Sequence, residues 1–89
     1  MDDSAMLDFK KELEALGRIR DELKLKAHLA QAEVKSKLDD LERKWRLADE
    51  KVQRAKSHAK QDAASLQREV KELVTDLKQG YQDIKRTFQ

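Results

Sequence analysis

The sequence predicts an all-α protein made of long amphipathic helices in antiparallel coiled-coil pairing, assembling into a bundle. Three observations carry this. The 89 residues contain no proline, no asparagine and only two glycines, Gly17 and Gly80, so the residues that tight turns depend on are nearly absent. Charged side chains make up 43% of the chain and aromatics 4%, a composition of long helices. Apolar residues recur every three or four positions from Met6 to Phe88, the helical signature. The length suits a single unit, residues 1–89, with no separate domains.

At the start, Asp2, Asp3 and Ser4 read as a capping cluster whose acids complement the positive end of the helix dipole. The apolar stripe then runs through Phe9, Leu13, Leu16, Ile19 and Leu23, and on through Ala27, Ala30 and Val34. Leu25 and Leu29 lie beside it and widen the face over 23–34, which fits contact with two neighbouring helices. Leu38, Leu41, Trp45, Ala48, Val52 and Ala55 follow as alternating a and d heptad positions. Ala59 and Ala63 carry the phase through SHAKQDAAS, residues 57–65, where no larger hydrophobe is offered until Leu66. Leu66, Val70, Leu73 and Leu77 continue the heptads with Val74 beside them, and Tyr81, Ile84 and Phe88 complete the expected helix–helix interface. Spacing averages roughly 3.6 residues rather than 3.5, which predicts nearly straight helices.

Outside the stripe, acids precede bases at i,i+4 in Glu14–Arg18, Glu22–Lys26, Glu33–Lys37, Asp39–Arg43, Asp40–Lys44, Glu42–Arg46 and Glu50–Arg54. Each such pair supports a helix by about 0.2–0.5 kcal/mol. The middle of the chain is therefore strongly helical on its own terms.

One continuous helix of this length would run roughly 130 Å at about 1.5 Å per residue and leave its whole stripe bare. The stripe must be covered by folding back or by association. Gly17 and Gly80, Phe9 and Phe88, Trp45 and Val52, and Leu16 and Tyr81 are placed symmetrically about residues 48–49. Antiparallel pairing centred there would set the alanine-rich 55–65 against 32–42. A near-continuous helix that associates and a helical hairpin both satisfy this pattern. A hairpin turn at LADE, 47–50, has no turn residue and falls inside the ion-pair ladder. A turn at 57–62, with Asp62 as N-cap, conflicts with the unbroken stripe, so SHAKQDAAS reads as a slender helical segment.

Candidate chemistry is sparse. His28 and His58 have no second ligand at helical spacing, so no metal site is expected. Neighbouring acids such as Asp39 and Asp40 point about 100° apart and do not converge. With no phosphate-binding loop, no nucleophile elbow and no concave polar site, the chain is read as a non-enzyme without cofactor or small-molecule substrate. Trp45, the one tryptophan, fills the core or anchors a partner.

Arg43, Lys44, Arg46, Lys51, Arg54, Lys56 and Lys60 concentrate positive charge in residues 43–60 against only Asp49 and Glu50. They are possible anion contacts, although nucleic-acid binding ordinarily brings a denser basic face or stacking aromatics. Contact with a membrane surface is disfavoured too, since the stripe is narrow and alanine-rich there. No window is apolar enough to span a membrane. Acids at the N-terminus where a signal peptide needs bases, together with the absence of cysteine, fit the cytoplasm.

DELKLKAHLAQAEVKSKLDDLERKW (21–45) and LKQGYQDIKRTF (77–88) resemble segments of short uncharacterised bacterial helical coiled-coil proteins, a resemblance that implies no activity. The small secreted hairpins of the WxG type are not matched. Trp45-Arg46-Leu47 lacks the glycine, and Tyr81 is followed four residues later by Lys85 rather than an acid. The residues favour a homo-oligomeric structural protein that self-associates into a bundle, tube or filament. The alternatives are an adaptor docking on a second helical protein and, further off, an anionic-polymer binder using residues 43–60.

Overall fold

The computed structural model describes residues 3–57 and 63–88, and the side chains of all these except 3–6, 56, 57 and 63. The fold is all-α. Three helices, α1 (Asp3–Lys26), α2 (Ala32–Ser57) and α3 (Ala63–Thr87), pack side by side in a body of 45 × 18 × 16 Å. No strand occurs among the described residues.

Cross-helix contacts fix the directions. Lys51 meets Glu69 at 2.9 Å and Lys44 meets Asp76 at 3.7 Å, so α2 and α3 run antiparallel about a centre near residue 60. Lys24 bonds Glu42 and Trp45 bonds the backbone of Leu13, so α1 and α2 are antiparallel about a centre near residue 30. Lys78 reaches Glu12 at 2.7 Å, joining the parallel pair α1 and α3.

This corrects the rod. The stripe is covered because the chain folds back on itself, and no second chain is needed to bury it. Residues 47–50 (LADE) lie inside the single helix α2, in line with their lack of turn residues. The mirror about residues 48–49 is not used. Segment 32–42 faces the far end of α3, where Leu41 packs on Gly80, rather than residues 55–65. Ser57 is the last residue of α2 and Ala63 the first of α3, while the reading of 58–62, with Ala59, Lys60 and Asp62, falls outside the described residues.

The first reversal contains none of the residues that announce turns. Lys26 passes into a 3₁₀ turn, Ala27–Leu29, and Ala30 then takes an extended conformation at φ −89° and ψ 166°. The Ala30 amide bonds the Ala27 carbonyl at 2.9 Å, and the Gln31 carbonyl accepts from Val34 and Lys35 to open α2. No non-glycine residue among those described has positive φ, so ordinary L-residues make the turn without strain.

Leu13, Leu16, Leu23, Ala27, Leu38, Leu41, Ala48 and Val52 are buried together with Val70, Leu77, Tyr81 and Ile84 in one cluster. Ala55 and Leu66 are buried as well, and Phe9, Ala30, Val34, Trp45, Leu73 and Phe88 pack partly against the cluster. Val74, placed beside the stripe by spacing, is more deeply buried than Leu73. In a three-helix body each helix meets two neighbours, so its buried arc is wider than a two-helix seam.

Candidate interaction surface

The α1–α2 seam is built around Trp45. Its indole Nε1–H donates to the Leu13 carbonyl at 2.8 Å, and its ring lies 3.4 Å from where a Cβ on Gly17 would sit. Gly17 is the residue whose helical amide pairs with that same carbonyl, four positions on. A Cβ there would still meet the indole at an ordinary van der Waals distance. Arg20 covers the outer face of the ring, its guanidinium carbon 4.4 Å from the centroid.

Next to this stack, Glu42 accepts from Lys24 and lies 3.4 Å from Arg46. The Lys24 hydrogen bond holds the Glu42 carboxyl below the usual carboxylate range, against the opposing push of desolvation. Tyr81 of α3 is near enough to Arg20, Glu42 and Asp21 for their charges to act on its hydroxyl. Its hydroxyl is buried with no hydrogen-bond partner among the described residues, and burial pushes its pKa up to about 12. A neutral phenol near a knot of paired charges offers neither a nucleophile nor a base at neutral pH. The arrangement fixes register between helices.

The described bases of the basic run, residues 43–54, are charge-paired. Each of its five described bases holds a carboxylate: Arg43 on Asp40, Lys44 on Asp76, Arg46 on Glu42, Lys51 on Glu69 and Arg54 on Glu50. The side chains of Lys56 and Lys60 are outside the described residues. Spacing anticipated Glu22–Lys26, Glu33–Lys37, Glu42–Arg46 and Glu50–Arg54. It missed that Arg43 chooses Asp40 and that Lys44 reaches across to α3. Glu14–Arg18 does not form, and neither side chain has an ion pair among the described residues.

His28 is exposed on the first turn, in a shallow groove with Lys24, Lys35 and Asp39. Among the described residues no group of histidines and acids converges on a metal position. A groove of about 250 Å³ between α2 and α3 has an apolar floor of Val34, Leu41 and Ile84 and a rim of Lys37, Asp40 and Asp83. Among the described residues no helix is long and apolar enough to cross a membrane.

The outer side of α1 is different. Leu7 is 51% exposed and Leu25 80%, and Leu29 in the turn that follows is 97% exposed. The leucines that widen the 23–34 face are thus not spent on internal neighbours, although Leu23 and Ala27 are. On α2, Leu47 is 44% exposed. Leu7 and Leu25 are eighteen residues apart, five full turns at 3.6 residues each, and share one side of the helix. Sequence reasoning assigned Leu25 to helix contacts and passed over Leu7. The signal for both was their common spacing on a second side of α1, away from the stripe.

No family model, no curated protein and no solved structure matches the chain.

Proposed function

We propose that this chain is a non-enzymatic helical protein that works by associating with protein, its own copies first. On this reading the three helices form a short antiparallel coiled-coil bundle, and the bundle is the building block. The observation that carries the reading is that α1 keeps Leu7 and Leu25 exposed on one side, more fully than Leu47 of α2, beside charges that have no ion pair among the described residues. Leu7 and Leu25 stand about 27 Å apart on one side of α1, so a contact that covers both must run along the helix. Since the stripe is covered within the chain, association would join folded bundles through outer faces rather than share a core. A cytoplasmic setting fits the cysteine-free sequence. The adaptor alternative uses the same face against a different helical protein.

Sedimentation equilibrium over a wide concentration series tests this. Average mass is expected to rise above the 10.4 kDa of one chain as concentration increases. A mass fixed at one chain throughout would sink the self-association reading and leave the adaptor.

A further inference from the structure

The outer face of α1 is self-complementary when reversed. Leu7 and Leu25 each lie nine residues from Leu16, two and a half turns, so both point directly away from the side on which Leu16 is buried. Glu14 and Arg18 stand two residues to either side of the same centre. Lys10 and Lys11 stand six and five residues before it, and Asp21 and Glu22 five and six residues after it. Each base on one half of the face is matched by an acid at the mirrored position on the other half.

From this pattern we infer that the face is occupied by α1 of a second copy, packed antiparallel about a two-fold axis level with Leu16. The inference rests on the self-association reading above and gives it a surface and a geometry. In a two-fold contact, residue i meets j and j meets i, so a patch must be complementary to its own reverse. Here Leu7 lands on Leu25 of the second copy and Leu25 on Leu7. Glu14 meets Arg18 twice, and the Lys10–Lys11 pair opposes Asp21 and Glu22 twice. A parallel arrangement would set each of these charges on its like, which electrostatic complementarity rejects.

The charges concerned are free to do this. Lys11, Glu14 and Arg18 are exposed and make no ion pair among the described residues. Asp21 accepts from Arg20, and Glu22 lies 3.5 Å from Lys26, yet both carboxylates are more than half exposed and keep oxygen lone pairs toward solvent. Elsewhere Lys37, Arg43, Lys44, Arg46, Lys51 and Arg54 of α2 already hold carboxylates. Leu29 extends the apolar edge beyond Leu25. The contact is one helix on one helix, so it is weak by the standard of stable dimers and populated at high protein concentration.

Sedimentation equilibrium on four chains tests it: the natural chain, Glu14→Arg, Arg18→Glu, and the two substitutions combined. All sites are on the exposed side of a helix, and circular dichroism with thermal melting checks that each variant folds. Either single substitution puts like charges together twice and is expected to weaken dimerisation by about tenfold or more. The combined exchange opposes unlike charges again and is expected to restore dimerisation to within a few-fold. Lys71→Glu on α3 serves as the control and should change nothing. A dimer indifferent to both single substitutions would overturn this contact while leaving self-association standing. Loss in the singles without recovery in the combined chain would overturn the antiparallel geometry. A natural chain that stays monomeric would remove self-association and this contact together.

Discussion

α2 and the outer side of α1 are both rich in charge, yet they spend it differently. Along α2, Lys44 and Lys51 reach acids on α3, Glu42 receives Lys24 from α1, and Arg43, Arg46 and Arg54 hold acids on their own helix. On α1, Lys11, Glu14 and Arg18 face solvent unpaired between two exposed leucines. An individual surface ion pair contributes only about 0–1 kcal/mol, so α2's ladder matters less for stability than for neutralising its surface. α2 is the scaffold's centre, and α1 is where charges without an ion pair among the described residues lie between two well-exposed leucines. The difference teaches that charge density alone does not locate a binding face. Whether the charges already have partners does.

If that division is right, substitutions in the core should cost stability and spare association, and the reverse should hold on the face of α1. The largest effect is expected at Leu77, fully buried between the helices. Leu77→Ala should destabilise by about 2–5 kcal/mol in urea unfolding. Among the chains still folded at low temperature, the dimer constant should be unchanged. A dimer constant that falls in step with stability would mean the core and the contact are one structure, and the comparison would break.

The two glycines sharpen it on a smaller scale. A Cβ at Gly80 would lie 2.9 Å from Leu41 Cδ1 and closer still to Cδ2, whereas at Gly17 it would make an ordinary 3.4 Å contact with Trp45. Overpacking typically costs about 1–3 kcal/mol, against the roughly 0.5–1 kcal/mol that alanine gains over glycine within a helix. Gly80→Ala is therefore expected to lower the melting temperature and Gly17→Ala to raise it modestly. Shifts of the same sign would mean that the α1–α2 and α2–α3 seams are equally close.

The smallest effect concerns pH. The Glu42 carboxyl titrates below its ordinary value because Lys24 bonds it. A folded value lower than the unfolded one means the stabilisation is present at neutral pH and is lost as pH falls through the carboxylate range. Glu42→Gln should flatten the dependence of melting temperature on pH in that window. An equally steep curve in the variant would assign the acid sensitivity to other carboxylates.

The helices and most of their buried faces were legible because the period of apolar residues reports burial directly. Leu13, Leu38, Val52, Leu77 and Ile84 are inside for the reason the spacing gives. The reversal at Ala27–Gln31 was not legible. A 3₁₀ turn followed by one extended alanine asks for no glycine or proline. Ala27 and Ala30 also kept the three-or-four spacing through the turn, so a folded stripe and a straight one read alike. Gly17 and Gly80 were matched to each other when each in fact faces a large side chain of α2. The exposed face of α1 stayed hidden because attention to the dominant stripe discounts leucines that fall outside it.

Because the chain has no cysteine, single thiols can report which helix faces another copy. Ala15→Cys puts a thiol on exposed α1 beside the proposed two-fold axis, and Ser36→Cys puts one on exposed α2 far from it. Treatment with a short bismaleimide across a concentration series is predicted to give covalent dimer from the Ala15 variant, increasing with concentration, and little from the Ser36 variant. Equal cross-linking of the two, or none at position 15 where sedimentation finds dimer, would contradict the account.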